Sequence, residues 1–446
     1  MPGDGASRRG RVLMVAFHFP PAGGSGTQRS LKFARYLPEF RWDVEVLTVR
    51  KAVHEVQDLT LIAEVPRCVA VHTTPCFIPG VQLGIRGWYP EFVGFPDRFA
   101  NWFPFAVRKG RRLLREKHFD VVYATHPTRT ALLIGWALAC SGGLPLVCDL
   151  RDPWLGGTHR QYFSSLWGSR LYFRMLRRLE RGVMRRAARI IVNSRQVQDD
   201  LAARFPEIHD KLVWLPNGYD ETDFRGIVPA KVGDRCLTFL HTGEIYSMYR
   251  DPRSLLEAFE DLIREGTIST KDVKVRFVGG GDWIASEEFR VWLRGKAVEE
   301  LVSIEPPVSH RAAIGQILGA DVLLLLQVSP LANGQIPAKV FEYLRAGRPL
   351  LTLAPGSSAT AQMASMARNS WTLDSADSAG LRAVLREIVA HYRQGKLRES
   401  FPSGGRFERR EMTKKLSGIL SSCLPATLAE VPWRTNRADR RDRRHA

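Results

Sequence analysis

Apolar and polar positions along the chain alternate between two periods. Short, nearly continuous apolar runs of strand length are followed by segments with helical spacing. RVLMVAFHF (Arg11 to Phe19) reads as a buried strand, bounded by the turn signal PPAGGSG. TQRSLKFARYLPEF then has helical spacing and DVEVLTV (Asp43 to Val49) is a second strand. The rhythm resumes with the strand FDVVYAT, the helix TRTALLIGWALACS and the strands LPLVCDL and ARIIVN. The helix SRQVQDDLAARF follows, with Ser194 as N-cap, and then the strand KLVWLP. CLTFLHTG opens a second series. It continues through a helix with Asp251 as N-cap and Pro252 in its first position, then VKVRFVGGG, LVSIEPPV, SHRAAIGQILGA and DVLLLLQV. Residues 380 to 394 and 407 to 423 read as two terminal helices. Such alternation predicts two doubly wound α/β domains joined near residues 217 to 236.

One stretch, Asn333 to Pro355, concentrates the chemistry. After the apolar run ending at Val328, Pro337 suits a first helical turn, and Gly347 with Pro349 marks the stop. At about a hundred degrees per residue, Val340, Phe341 and Leu344 point into a core, while Lys339 and Glu342 share the opposite face. A helix N-terminus delivered by a strand favours an anion such as a phosphate. A surface helix carrying a Lys339–Glu342 ion pair is the plainer alternative.

Two segments break the pattern. Residues 52 to 105 look irregular and are rich in aromatics (Trp88, Tyr89, Phe92, Phe95, Phe99, Trp102, Phe103, Phe105). They fit either a contact surface for an acceptor or membrane, or a loop over its own small core. Ser164 to Arg189 is the most basic helical segment, with Leu171, Met175, Leu179 and Val183 recurring every fourth residue. It fits an anionic bilayer surface or a packed helix with a solvated arginine face.

Composition narrows the class. At 446 residues the chain exceeds one ordinary core, and 44% hydrophobic with 25% charged residues is globular. A formal charge of +19 calls for an anionic partner: nucleic acid, an acidic membrane or a phosphorylated substrate. The six cysteines are scattered without a C-x-x-C pair, which disfavours structural zinc and fits reduced thiols in the cytoplasm. The N-terminal apolar core is only about eight residues long, is interrupted by His18 and ends in Pro-Pro, unlike a signal peptide. No run approaches the roughly 18 apolar residues of a membrane span, so membrane contact would be peripheral.

Laid out in order, PPAGGSGTQR, ATHPTRTALL, ARIIVNSRQVQDDL, KLVWLPNGYDETDF, LHTGEIY, FVGGGDW and IPAKVFEYLRAGRPLL resemble the retaining glycosyltransferases of family 4. That resemblance implies the GT-B fold, in which two doubly wound Rossmann-like domains face each other across a cleft. The expected division is an acceptor-binding domain over residues 1–220 and a nucleotide-sugar-binding domain over 221–404. A C-terminal helix, 405–424, is expected to pack back on the first domain, followed by a basic disordered tail, 425–446.

The resemblance also assigns roles. Glu342 would bind the nucleotide ribose, and Lys339 would lie near the diphosphate. Gly243 would let backbone approach the phosphates with Glu244 beside it. Gly279 and Gly280 would flank the nucleotide, and Val308 would meet the base through its backbone. Arg250 is the candidate charge for the departing diphosphate, its guanidinium suiting phosphate. His126 would stand near the donor sugar, giving an expected catalytic set of His126, Arg250 and Lys339. Gly23, Gly24 and Gly26 sit at one strand end where the acceptor is expected, and Asp149, Arg151 and Asp152 at another, where they could contact acceptor or sugar; an internal salt-bridge cluster is the alternative for these last three. One position departs from the family: Gly334, eight residues before Glu342, stands where a Glu is usual, so that Gln335 and Ile336 are left to contact the sugar.

The implied reaction moves a sugar from a nucleoside diphosphate sugar to a hydroxyl of a lipid-linked or polysaccharide acceptor, with retention. It needs no enzymic nucleophile and no cofactor. With no D-x-D motif, no metal is expected. Other readings are a non-catalytic GT-B partner subunit, which the missing Glu suggests, and a GT-B epimerase. Nucleic-acid binding rests on charge alone, without a binding module.

Overall fold

The computed structural model describes residues 8–54, 56–77, 95–154, 169–230, 236–397 and 405–425. The first domain is built on seven parallel strands: β1 (Gly10–Ala16), β2 (Trp42–Val49), β3 (Ala70–Thr74), β4 (Val121–Thr125), β5 (Leu146–Leu150), β6 (Arg189–Val192) and β7 (Leu212–Trp214). Their order across the sheet is β3-β2-β1-β4-β5-β6-β7. The second sheet has six: β8 (Leu237–Thr242), β9 (Val273–Val278), β10 (Val302–Glu305), β11 (Val322–Leu326), β12 (Leu350–Leu353) and β13 (Ser370–Leu373), ordered β10-β9-β8-β11-β12-β13. In both sheets the order reverses beside the first strand of its series, so each carries a switch-point crevice at its carboxyl edge.

Side-chain alternation explains why each sheet is covered on both faces. Leu13 and Val15 of β1 join one core cluster, while Val12, Met14 and Ala16 join another on the opposite face. The helices of the first domain are α1 (Ser25–Tyr36), α2 (Trp102–Glu116), α3 (Arg129–Gly142), α4 (Ser169–Arg186) and α5 (Arg195–Arg204). A short α6 (Glu221–Phe224) crosses to the second domain. There α7 (Arg253–Arg264), α8 (Glu287–Leu293), α9 (His310–Gly319), α10 (Lys339–Ala346), α11 (Ala359–Ala364) and α12 (Ser378–Arg393) surround the sheet. Finally α13 (Arg409–Ser421) returns to the first domain, where Met412, Leu416 and Leu420 are buried against the β1 face beside α1.

Several boundaries differ from the sequence pattern. The segment read as irregular contains β3 and leads into α2. Trp102 is fully buried there, its indole N–H donating to Thr74 Oγ1 at 2.7 Å. Phe17, Phe99 and Trp102 form an inward aromatic cluster, while Phe105 is exposed; Trp88, Tyr89 and Phe92 lie outside the described residues. In α4 the expected stripe is only half buried. Val183 is buried, but Leu171 is 60% and Met175 42% exposed, because Leu176, Glu180 and Met184 face the core instead. Pro252 is itself the N-cap of α7, with Asp251 accepting from the Arg253 N–H at 3.0 Å. The tail from residue 426 lies outside the described residues.

The two domains meet through the carboxyl edges of their sheets. Ser194, just past β6, donates from Oγ to the carbonyl of Gly334, in the loop after β11, at 2.8 Å. The crossing segment is fastened by charge: Asp220 accepts from Lys32 at 2.8 Å and from the Tyr36 hydroxyl. Arg345 of α10 grips Glu221.

Candidate functional site

On the second domain the site begins with two glycine turns. Gly243 (φ 86°) follows β8 and Gly279 (φ 131°) follows β9. Both lie in the left-handed half of backbone space that favours glycine. A Cβ on Gly279 would stand 2.7 Å from Gly243 Cα, so the two turns pack backbone to backbone. The Gly243 N–H is already bonded to Val278 O at 2.7 Å, and that of Gly279 to Glu305 O at 3.1 Å. These glycines therefore open space for a ligand without offering it those two N–H donors.

Beneath the Gly243 turn lies Lys339, the first residue of α10. The Lys339–Glu342 pair of the plainer reading does not form. Lys339 Nζ turns to His241 Nε2 at 2.9 Å and to the Thr242 carbonyl. Glu342 accepts from His310 Nε2 at 2.9 Å. Burial, and then Arg250, hold the Lys339 amine well below the usual lysine range, against the pull of Glu342 and Glu244. Hydrogen bonding to Glu342 raises His310 above its ordinary value. The helix begins two residues later than expected: Ala338 is the N-cap, and Pro337 contributes its carbonyl to the Val340 N–H at 3.1 Å. The core face is as patterned, with Val340, Phe341 and Leu344 buried, and Gly347 (φ 67°) ends the helix.

Of the other candidates, Arg250 and Glu244 lie close enough to act on the Lys339 amine. Arg250 donates to the Glu244 carbonyl at 2.6 Å and lies 5.2 Å over the Tyr246 ring. Its Nε is buried with no hydrogen-bond partner, and burial lowers its pKa. Gly243 and Glu244 are exposed at the turn, and the Gly280 carbonyl accepts from Ile245 N at 3.0 Å. Val308 is exposed just before α9. The Gln335 N–H is committed to Ala332 O at 2.8 Å, and Ile336 is buried. Asn333 Oδ1 is buried and without a partner.

Gly334 has a steric explanation. A Cβ there would approach Val197 Cγ2 to 3.2 Å and Pro153 Cγ to 3.3 Å, both on the first domain. With the domains arranged as they are, any side chain at this position would crowd Val197 and Pro153, which would have to give by a few tenths of an ångström.

On the first domain, Gly24 (φ 81°) is the N-cap of α1 and the Gly23 N–H bonds to Val56 O at 2.9 Å. The site of a Gly26 side chain would lie 3.4 Å from the His18 ring, and the Gly26 carbonyl accepts from Arg151. Asp149 belongs to the interior: it is fully buried and takes two 2.8 Å bonds from Arg29. Asp152 is half-buried, its carboxyl raised by burial despite Arg151. His126 follows β4 but precedes α3 by three residues, so it does not open that helix. It is buried, its N–H bonds to Asp149 O at 2.9 Å, and its ring stacks 6.3 Å from Trp154.

Two histidines beside the candidate residues escaped the sequence reading. His18, at the end of β1, is pushed down to about 3 by burial and then by Arg151, His54 and Arg98. His241 is the other. It sits inside the motif LHTGEIY, but an apolar strand around it disguises it as core.

Residues 24–223 match the family described as Glycosyltransferase Family 4. The first domain belongs to that family. Solved structures match nearly the whole chain at low identity. Anabaena HepE, in complex with UDP-glucose, is 15% identical with a TM-score of 0.61, covering 92% of this chain and 99% of its own. Sucrose-phosphate synthase from Thermosynechococcus elongatus is 13% identical with a TM-score of 0.59, covering 93% and 97%. A putative UDP-N-acetylglucosamine 2-epimerase from Listeria monocytogenes is 11% identical with a TM-score of 0.52, covering 93% and 96%. No curated protein matches. At these identities the likeness establishes the fold, which is GT-B: two α/β domains on parallel sheets, meeting at their carboxyl edges. The family match over the first domain and the GT-B fold together support a glycosyltransferase.

Proposed function

We propose that this glycosyltransferase transfers a sugar, with retention at the anomeric carbon and without a metal, from a nucleoside diphosphate sugar to an acceptor hydroxyl. The observation that carries the reading is the joint of Gly243 and Gly279 over Lys339, at the carboxyl edge of the second sheet. It offers room for a diphosphate, with the Arg250 guanidinium acting on the same pocket, where an open α/β sheet places its ligand. HepE, in its UDP-glucose complex, supports a nucleotide-sugar donor. Lys339, Arg250 and the N-terminus of α10 would stabilise charge on the leaving diphosphate, while Glu342 exchanges His310 for the ribose hydroxyls. Glu244, Gly280, Val308, Gln335 and Ile336 would surround the nucleoside and sugar. No enzymic nucleophile is required. The acceptor attacks from the face the diphosphate leaves, and a phosphate oxygen takes its proton.

His126, Gly23, Gly24, Gly26, Arg151 and Asp152 would border the sugar and acceptor on the first domain. A lipid-linked or polysaccharide acceptor in cell-surface biosynthesis fits the basic α4, where exposed Leu171 and Met175 lie among Arg170, Arg174 and Arg178. The protein would then work at the cytoplasmic face of a membrane, held peripherally. No described helix is long and apolar enough to cross one. Likeness to the Listeria epimerase supports a second reading, nucleotide-sugar epimerisation. Incubation with UDP-, GDP- and ADP-sugars, with and without vesicle-borne acceptors, separates transfer from epimerisation by the product formed.

A further inference from the structure

His241 has a fixed tautomer. Its Nδ1 lies 3.0 Å from Leu324 O on β11, and a carbonyl can only accept, so Nδ1 carries the proton. Nε2 therefore presents a lone pair, and Lys339 Nζ donates to it at 2.9 Å. The other neighbour of Nζ, the Thr242 carbonyl, is also an acceptor. Two of the amine's N–H bonds are thus used inward. The remaining direction borders the space a Gly243 side chain would fill, since a Cβ there would come within 3.1 Å of Nζ. His241 is itself fully buried on β8, so the lysine rests against a rigid strand. The charged groups acting on this amine are Arg250, of like sign, and Glu342 and Glu244, of opposite sign; burial outweighs them and favours the neutral form. His241 is likewise held neutral by burial and then by Lys339 and Arg250.

We propose that His241 is a positioning residue that seats Lys339 beneath the glycine turn as an amine ready to be protonated, so that donor binding is coupled to proton uptake. The proposal rests on the donor reading above. An incoming diphosphate supplies the negative charge that the pocket lacks, and Lys339 takes one proton from solvent as it pairs with the phosphate. No other bond forms or breaks. Lysine suits this role because its pKa moves readily with burial, whereas an arginine would stay charged.

The test is calorimetric titration with UDP-glucose, GDP-mannose and ADP-glucose in buffers of differing ionisation enthalpy. Between about pH 7 and pH 8 the diphosphate of each is fully ionised and none of the three bases titrates, so any proton taken up there belongs to the protein. Between about pH 7 and pH 8 the wild type should take up a fraction of a proton per sugar nucleotide, up to about one, equal to the share of the Lys339 amine that is neutral before binding. Lys339→Arg should bind with no uptake. His241→Ala should weaken binding about tenfold or more and displace the pH dependence of uptake, with His241→Gln restoring part of both. Binding without proton uptake at any pH in this range would overturn the coupling. Unchanged affinity and unchanged uptake in both His241 variants would overturn its positioning role. If no sugar nucleotide binds the wild type, the donor reading fails, and this one with it.

Discussion

Ser194 Oγ donates to the carbonyl of Gly334 at 2.8 Å, and the two residues come from different domains. Ser194 also caps α5 by accepting from the Val197 N–H at 3.2 Å, so one hydroxyl fixes both a helix end and the approach of the loop after β11. Val197 and Pro153 close over Gly334 from the same side. A Gly334→Glu substitution is therefore expected to destabilise this arrangement by about 1–3 kcal/mol, as overpacking does. Ser194→Ala should cost about 1 kcal/mol. Thermal unfolding of both variants checks the order. A Gly334→Glu protein as stable as wild type would show that the contact is not sterically exclusive.

Glu342→Ala removes the carboxylate assigned to the ribose and leaves His310 with only Asp223, 4.0 Å away. A lost charged hydrogen bond is worth about 1.5–3 kcal/mol, so donor affinity should fall roughly ten- to a hundredfold. Titration with the preferred sugar nucleotide measures it. Unchanged affinity refutes the role.

How much of this was legible follows from where each signal lies. The core face of α10 and the separation of Lys339 from it appear in the spacing of eight residues. The reason for Gly334 does not, because Ser194 is 140 positions away and only the fold brings them together. β3 and β13 escaped detection as edge strands: β3 alternates half-buried and exposed positions, and every residue of β13 is half-buried. Neither builds the continuous apolar run by which central strands such as β11 declare themselves. Asp149, grouped by sequence with the acceptor residues, is claimed by Arg29 from α1. That pairing is tertiary.

The Arg29–Asp149 pair is a structural claim in its own right. The side chains are only 2% and 0% exposed, and Arg29 also donates to the carbonyls of Leu215 and Pro216. Arg29→Ala leaves a buried carboxylate uncompensated, so stability should drop by about 3–5 kcal/mol. Chemical denaturation of the purified variant gives the value, and a loss under 1 kcal/mol would contradict it.

The domain crossing should be acid-sensitive. Burial alone would raise the Asp220 carboxyl, but Lys32 and Thr222 together lower it from 3.8 to about 2. A carboxyl depressed in the folded state binds fewer protons than in the unfolded chain. Its contribution, on the order of 2 kcal/mol, is thus present above about pH 4 and lost as pH falls toward about 2. The stability difference between wild type and Asp220→Asn should shrink through that window. A difference independent of pH would exclude this carboxylate as the cause.

The central claim is that the joint of Gly243, Gly279 and Lys339 holds a nucleoside diphosphate sugar. Equilibrium binding of purified protein to UDP-, GDP- and ADP-sugars, with a single-stranded oligonucleotide beside them, tests it most directly. The account predicts saturable binding of at least one sugar nucleotide, weakened by Glu342→Ala. Tight binding of the oligonucleotide with no binding of any sugar nucleotide would contradict it.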